Sequence, residues 1–472
     1  MEVALALRAG LPERKACFMG FFDALNDWIL SLPTGIIYLV ALMGAGIFLT
    51  FRLRFVQFRH FFRAFKDTFQ NIGKGGGEGS ISSFQATATA LAGTLGTGNI
   101  IGVATAIVSG GPGAVFWMCV SSFFGMATKF SEIVLAVHFR TQNRNGETVG
   151  GPMYYIQNGI HSRWMAVIFS AACVGASFGV GNLSQSNAIS DALYSTFGAP
   201  KWLVGLVVMA VIGLIIIGGI KRIGAVTERL VPIMALTYFI GSIAAIAVNW
   251  RALPEAFSLI FRDAFTTQSI SGGVLGYLTS RAVRFGISRG VFSNEAGLGS
   301  APIAHGAAQT DSAVRQGLWG IVEVFLDTIL MCTMTTVVIL TSGQYQSGAT
   351  GAALTTSAFA TALGKHAASF VAISTIFFAV ASIVGWAYYG EKAIEFMSPK
   401  RVWVNIYRIC FVLSVFLGAV AQIDLIWNLS DLLNLIMAVP NIIAVVALSK
   451  IVSRESQQYF AKSTKTRSKS TK

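Results

Sequence analysis

The sequence is poor in charged residues, and above all in acidic ones. Of its 472 residues only 12% are Asp, Glu, Lys or Arg, whereas 54% are hydrophobic. A soluble globular domain has roughly 25% charged residues. With 35 basic and 21 acidic residues, the net charge is 35 − 21 = +14. So little charge excludes an ordinary cytosolic enzyme and a disordered chain. The composition indicates an integral membrane protein with apolar residues facing lipid.

Cysteine and histidine are scarce too, with five of each. Neither shows the spacing of a disulfide framework or a metal site. The glycine-rich segment 96–102 comes close to a dinucleotide fingerprint, but no acidic residue follows about twenty positions later. The 73–77 loop lacks the Ser or Thr of a phosphate-binding Walker motif. We therefore expect no enzyme activity, no cofactor and no nucleotide partner.

Long apolar runs make up most of the chain. A membrane helix needs about 20 apolar residues to cross the hydrocarbon layer. The sequence predicts an all-α protein with about eleven such helices, at 27–51, 82–108, 114–139, 165–195, 203–220, 229–250, 273–307, 314–342, 367–397, 401–420 and 423–449. We divide the chain into an N-terminal segment with one extra helix and a basic loop, two five-helix sets and a basic tail, at 1–80, 82–250, 273–449 and 450–472.

Basic residues predict the orientation of these spans. The loop after the first span is basic, as are the Lys221-Arg222 pair and the tail 450–472. The positive-inside rule places all three in the cytoplasm, and hence the N-terminus outside the cell (inner) membrane. The same rule explains the basic tail without a nucleic-acid partner. Three arginines near the predicted outer start of span seven conflict with the positive-inside rule: Arg281, Arg284 and Arg289. We expect an interfacial or vestibule-facing helix there.

Glycine clusters interrupt two of the spans. Span two contains GTLGTGN at 93–99, and span seven contains SNEAGLGS at 293–300. Each of these spans begins one of the two five-helix sets, which indicates the substrate site of an inverted-repeat transporter. An unwound helix offers amide N–H groups to a carboxylate and carbonyls to a cation. Close helix packing is the alternative role of such glycines, but two clusters at matching positions favour function.

Four motifs resemble the alanine or glycine:cation symporters, the sodium:alanine symporter family. They are GTLGTGNI at 93–100, GPMYYI at 151–156, GVFSNEAG at 290–297 and GWAYYGE at 385–391. The resemblance implies a LeuT-type fold, which is a five-plus-five inverted repeat, with one extra N-terminal helix. It also implies symport of a small neutral amino acid, such as alanine or glycine, with sodium into the cell.

The resemblance further implies which residues form the site. For the substrate it implies Thr97 and the Gly98 amide at the carboxylate, Gln185 and Asn294 as polar contacts, and Leu298 and Trp386 as pocket walls. For sodium it implies the carbonyls of Ala92 and Leu95 with the Ser382 hydroxyl, and a second ion near Thr94 and Asn99. Ala381 precedes Ser382 where the broader fold often has another hydroxyl, which leaves proton coupling open.

Several alternatives stay open from the sequence. The substrate could be serine or glutamine, and the coupling ion could be a proton. A passive channel is a further alternative, although two broken helices fit a channel less well. Glu323 and Asp327 within span eight are either an ion or proton relay or structural partners of a base such as Lys129. Glu132, three residues after Lys129, predicts a local ion pair.

Overall fold

The structure, a computed structural model, describes residues 34–70, 76–265, 281–421 and 424–470. The described chain is helical almost throughout, in agreement with the predicted all-α class. Seven of its helical segments are long and apolar enough to cross a membrane, and three shorter apolar helices accompany them. The count of eleven spans stays a prediction. The predictions for 1–33, 71–75 and 273–280 lie outside the described residues.

Three helices of the first half begin or end at a recognisable local signal. A capping box of Ser82 and Gln85 starts α4, Pro152 starts α7, and Gly198, in the left-handed conformation, ends α9. The elements are α1 (Thr34–Arg52), α2 (Val56–Arg59), α3 (Phe61–Gln70), β1 (Ile81–Ser82), α4 (Ser83–Thr94), α5 (Ile101–Gly110), α6 (Ala114–His138), β2 (Thr141–Gln142), β3 (Thr148–Val149), α7 (Pro152–Gly159), α8 (Arg163–Phe178), α9 (Ser184–Phe197), α10 (Lys201–Ile216), α11 (Gly219–Val248) and α12 (Leu253–Ala264).

The second half contains the longest of the described helices, and two helices there match predicted spans at both ends. The elements are α13 (Arg281–Asn294), α14 (Ala301–His305), β4 (Ala308–Gln309), α15 (Ala313–Val324), α16 (Thr333–Thr341), α17 (Gly351–Leu363), α18 (Ala367–Met397), α19 (Arg401–Val420), α20 (Asp424–Ala447) and α21 (Ser449–Ser470). Here α18 and α19 coincide with the predicted spans 367–397 and 401–420. A π-helical segment, Phe325–Cys332, joins α15 to α16, and another, Gly179–Leu183, joins α8 to α9.

Some boundaries differ from the prediction. α11 begins at Gly219, ten residues before the predicted start at 229, so Lys221-Arg222 lies inside a helix and not in a loop. Gly219, with φ +63°, makes the turn instead. Lys and Arg are good helix formers, so a basic pair can lie in the first turn of the next helix. The tail is also helical, as α21, and α12 and α17 are helices that apolar run length did not predict.

The two broken helices run in opposite directions. The strand β1 directly precedes α4, and β4 follows α14; the two strands pair, with Ile81 opposite Ala308 and Ser82 opposite Gln309. The start of the first broken helix and the end of the second therefore lie at the same membrane face. An inverted repeat requires this arrangement.

The helix α18 packs closely against the first broken helix. A Cβ added to Gly385 would lie 2.7 Å from the amide nitrogen of Gly93, and one added to Gly93 would lie 2.7 Å from the Tyr389 hydroxyl. At these distances the atoms would overlap, and the close-packed interior leaves them no room to move apart. Glycine at 93 and 385 thus lets the two helices touch backbone to backbone.

Candidate functional site

The first break separates α4 from α5 in span two. α4 ends at Thr94, and a 3₁₀ turn, Thr97–Asn99, precedes α5. Among the described residues, the carbonyls of Ala92 and Leu95 and the amide of Gly98 have no hydrogen-bond partner. Every residue from 91 to 100 is buried except Gly98, which is partly exposed. Unpaired backbone groups are costly in an apolar region unless they bind something.

Span nine supplies a hydroxyl to this break. Ser382 Oγ donates a hydrogen bond to the carbonyl of Gly93 at 3.2 Å. A Cβ added to Gly96 would lie 3.2 Å from the same hydroxyl oxygen. The hydroxyl is therefore held against the segment that carries the two unpaired carbonyls. These three oxygens form the set that the resemblance implies for a sodium ion.

Gln185 in α9 contacts the same break. Its Oε1 accepts a hydrogen bond from the amide of Thr97 at 3.3 Å, and its Nε2 donates to the carbonyl of Val180 at 3.1 Å. Val180 lies in the π-helical segment between α8 and α9, where the helical hydrogen-bond pattern changes. The fold thus brings together Thr97, Gly98 and Gln185, three of the residues predicted to contact substrate.

Trp386 and Leu298, predicted as pocket walls, are both in the core, with 1% and 2% of their surface exposed. Trp386 packs on the π-helical segment, where a Cβ added to Gly181 would lie 2.3 Å from the Trp386 Cβ. Its ring meets that of Tyr389 edge to face, with centroids 5.5 Å apart. Leu298 lies in the second break.

Asn294 ends α13 at the second break. Its Nδ2 donates to Ser122 Oγ at 3.0 Å and to Thr328 Oγ1 at 3.2 Å, and its Oδ1 accepts from the amide of Ala296 at 3.0 Å. Within the described chain no hydrogen bond joins it to Thr97. Its predicted contact with the substrate would require one of these hydrogen bonds to be exchanged.

A fully buried charge cluster lies beside the second break. Lys129 Nζ donates to the carbonyl of Asn294 at 2.8 Å and lies 3.1 Å from Glu323 Oε1. Glu323 Oε2 lies 3.0 Å from His305 Nε2, and His305 Nδ1 lies 2.9 Å from Gln316 Nε2. The carbonyl end of a helix carries partial negative charge, so an ammonium group at the end of α13 is favourable. The structure therefore pairs Glu323 with Lys129, the base named in the structural alternative, and a relay role for Glu323 stays a prediction.

Glu132 does not form the predicted ion pair with Lys129. Its Oε1 accepts instead from Asn441 Nδ2, which also donates to the carbonyl of Gly297 at 2.8 Å, while Asn441 Oδ1 accepts from the Tyr155 hydroxyl. The prediction was wrong because Lys129 reaches across to another helix, which spacing along one helix does not reveal.

Asp327 joins the two breaks. Its Oδ1 accepts from Asn99 Nδ2 at 2.8 Å, and its Oδ2 accepts from Ser293 Oγ at 2.8 Å and Thr328 Oγ1 at 2.6 Å. In the described part of the chain no Lys, Arg or His lies within ion-pair distance of it, and Asn99 Oδ1 is buried without a hydrogen-bond partner. Ser293 and Asp327 thus hold oxygens close together between the two breaks, while Asn99 faces them with its amide nitrogen, which donates hydrogen bonds and does not bind a cation.

Thr94, predicted to share a second ion with Asn99, turns its hydroxyl elsewhere. It donates to the carbonyls of Ala90 and Leu91 in its own helix, both at 3.3 Å. The fold therefore brings Asn99 to Asp327 and not to the Thr94 hydroxyl.

Two residues of these networks, His305 and Asn441, were missed by sequence analysis. Each is a polar side chain within a predicted apolar span, which is a signal of a functional or buried polar network. Their partners could not be identified in the same way, because Asn441 and Glu132 are 309 residues apart in the chain.

The arginines predicted near the start of span seven lie on α13. This helix is the first half of broken span seven, and Arg281 and Arg284 are exposed on it while Arg289 is partly buried. Arg281 Nε donates to the carbonyl of Ser109 at 2.8 Å. Their position at an interface or in a vestibule stays a prediction.

Comparison with known proteins agrees with this architecture. The model of the sodium:alanine symporter family matches residues 16–472. The sodium/alanine symporter AgcS of Methanococcus maripaludis is 44% identical over 93% of this chain and 97% of its own. The probable sodium/glutamine symporter GlnT of Bacillus subtilis is 39% identical over 89% and 87%.

Among solved structures, the transporter MhsT in complex with L-phenylalanine is similar with a TM-score of 0.57 and 14% identity, over 79% of this chain and 90% of that one. At this identity the likeness shows the fold alone, which is the LeuT-type fold predicted above. This chain belongs to the sodium:alanine symporter family, and it is a multi-pass membrane protein.

Proposed function

We propose that the protein is a secondary active transporter that carries a small neutral amino acid, alanine or glycine, into the cell together with sodium. The family and the relatives named for sodium and alanine support this proposal. The observation that carries it is the first break. The unpaired carbonyls of Ala92 and Leu95 lie in the segment that the Ser382 hydroxyl contacts at Gly93, and the unpaired amide of Gly98 follows Thr97, whose amide donates to Gln185.

The substrate carboxylate would bind at the free amide of Gly98, with Thr97 and Gln185 completing the polar contacts. An amide at the start of a helix is a favourable position for a negative charge, and α5 begins just beyond. Gly98 is the one residue of the break that is partly exposed, so a substrate can reach it. The zwitterion thereby exchanges water for polar groups at a depth where bare charges are costly.

The sodium ion would bind to the carbonyls of Ala92 and Leu95 and to Ser382. Sodium is a hard cation, and this set consists of oxygens only. Ser293 and Asp327 offer oxygens for a second cation position between the breaks, and a turn of the Asn99 side-chain amide that exchanges its nitrogen for Oδ1 would add a third oxygen. Because substrate and ion share one unwound segment, binding of one favours binding of the other, and this reciprocal coupling lets the sodium gradient drive uptake.

Transport would proceed by alternating access, with the bundle that contains both broken helices rocking against the other spans. The basic loops support a cytoplasmic C-terminus, an outer N-terminus and a location in the cell (inner) membrane. Proton coupling is the second candidate, because Asp327 is a buried acid without an ion-pair partner in the described chain.

Radiolabelled uptake into proteoliposomes tests the proposed function. We expect alanine and glycine to enter when sodium is outside, little uptake when choline replaces sodium, and weaker uptake of serine and glutamine. Preloading with unlabelled alanine should accelerate uptake of labelled alanine, because a carrier exchanges its substrate. A passive channel would show no such acceleration, and a proton-coupled carrier would respond to a pH gradient in choline.

A further inference from the structure

A basic pocket lies outside the proposed substrate site and shares no lining residue with it. A cavity of about 300 Å³ separates the end of α1 and the helix α2 from α21. We call it the arginine pocket, because Arg52, Arg54 and Arg59 line it together with His60, Ser453 and Gln457. Among the described residues, no Asp or Glu lines it. The loop that contributes the arginines is the one that the positive-inside rule places in the cytoplasm.

The three pocket arginines have no carboxylate partner among the described residues. Their neighbours differ: Arg63 pairs with Asp67 at 3.4 Å, and Arg315 pairs with Asp311 at 2.7 Å. Like charges held close together without an acid repel one another, so their free energy falls when an anion binds between them. Arginine also presents the donor geometry that suits a phosphate group.

The pocket has a fixed backbone. Arg54 and Phe55 both adopt the left-handed conformation, with φ of 55° and 58°. Such angles are uncommon in residues other than glycine and persist where the surrounding structure imposes them. The adjacent Gln57 is buried and donates to Thr50 Oγ1 at 2.9 Å and to the carbonyl of Phe123 at 3.4 Å, which ties this bend to two spans.

Aromatic contacts hold α21 against the pocket. The ring of His60 stacks on that of Phe460 with centroids 3.6 Å apart, and Arg63 lies over the ring of Tyr459 at 5.0 Å. Burial, and then the charges of Arg59 and Arg63, lower the pKa of His60. The charges of Arg59 and Arg63 thus act on the ring of His60, which lines the pocket.

Exposed phenylalanines are close to these arginines in the chain. Phe51, Phe58 and Phe62 have 64%, 75% and 85% of their surface exposed. Arginines beside exposed aromatic rings at the end of a span are typical of a segment that lies in the membrane interface, with the rings at the level of the acyl chains and the charges at the level of the head groups. This favours a lipid over a soluble phosphate as the source of the anion.

We infer that the arginine pocket binds the phosphate of an anionic phospholipid head group, and so attaches α21 and the loop after α1 to the membrane surface. The inference does not depend on which amino acid or ion the protein transports.

Thermal unfolding of the purified full chain in detergent tests this inference. We expect short-chain phosphatidylglycerol to raise the melting temperature with saturation, and short-chain phosphatidylcholine or inorganic phosphate at the same concentration to have little effect. The double variant Arg54→Asn/Arg59→Gln should bind phosphatidylglycerol roughly 100-fold more weakly, since each lost charge-assisted hydrogen bond costs about tenfold or more in affinity. Asparagine is chosen at 54 because it tolerates the left-handed conformation.

The matched control is Lys450→Gln/Arg454→Gln, which removes the same charge from exposed positions of α21 outside the pocket. We expect it to change the affinity less than about threefold. An equal loss in this control would overturn the inference in favour of general charge attraction, and an equal effect of inorganic phosphate would overturn the lipid assignment. If the double variant does not purify, Arg59→Gln alone should still bind about tenfold more weakly.

Discussion

At the scale of single residues, the site depends on side chains that satisfy backbone groups of the broken helices. Gln185 accepts from the amide of Thr97, Ser382 donates to the carbonyl of Gly93, and Lys129 donates to the carbonyl of Asn294. Each comes from a helix other than the one it contacts. The unwound segments are therefore held by their neighbours and keep a defined shape without helical hydrogen bonds.

Replacement of Gln185 should weaken substrate binding. In Gln185→Ala the amide of Thr97 loses its partner and the substrate loses a polar contact, so we expect the KM for alanine uptake to rise about tenfold, as for the loss of a hydrogen bond worth about 1.4 kcal/mol. The control is Asn187→Ala on the same helix, whose amide bonds to the carbonyls of Gly418 and Ala421. A similar KM in both variants would contradict a substrate role for Gln185.

The buried pair of Lys129 and Glu323 should show strong coupling. Removal of one partner leaves a buried charge uncompensated, which costs about 3–5 kcal/mol. We therefore expect Lys129→Met and Glu323→Gln each to lower the melting temperature in detergent, and the double variant to be more stable than Lys129→Met alone. Purely additive losses would show that the two side chains do not act as a pair.

At the scale of helices, the close approach of α18 to the first broken helix sets the geometry of the proposed ion site. Ser382 and Gly385 lie on neighbouring turns of α18, and both contact the segment around Gly93. Ser382 brings a hydroxyl, and Gly385 allows the backbone contact that puts this hydroxyl in place. A change in the distance between α18 and the first broken helix should therefore weaken sodium binding before it destabilises the fold.

Gly385→Ala tests the importance of this contact. The added Cβ would lie 2.7 Å from Gly93, so the helices must separate, and we expect sodium-driven uptake to fall by at least about tenfold with a raised sodium requirement. Gly102→Ala on α5 is the control, because an added Cβ there meets no atom within 4 Å. It should keep its uptake and be slightly more stable, since alanine favours helix over glycine. Normal sodium dependence in Gly385→Ala would show that this helix contact does not set the geometry of the ion site.

Several helices were predictable from the sequence because apolar length and glycine clusters act locally. The two breaks and the ends of α18 and α19 agree with the prediction for this reason. The start of α11 does not agree with the prediction, because the helix already includes the basic residues that precede the apolar run. The contacts Lys129–Glu323 and Asn441–Glu132 join residues far apart in the chain, and only the packed structure brings them together.

At the scale of the whole molecule, two broken helices of opposite direction meet at one centre. The pairing of β1 with β4 sets their opposite directions, and Asp327 contacts both breaks through Asn99 and Ser293. A ligand bound here touches both halves of the repeat. Its binding energy can therefore favour one arrangement of the halves over the other, which alternating access requires.

In the proposed mechanism, sodium and a small neutral amino acid bind together at the first break. The affinity of the purified protein for alanine, measured in sodium and in choline at equal ionic strength, tests it most directly. We expect sodium to raise the affinity at least about tenfold, a coupling of about 1.4 kcal/mol, and Ser382→Ala to abolish most of this increase. Equal affinity for alanine in sodium and in choline would contradict this mechanism.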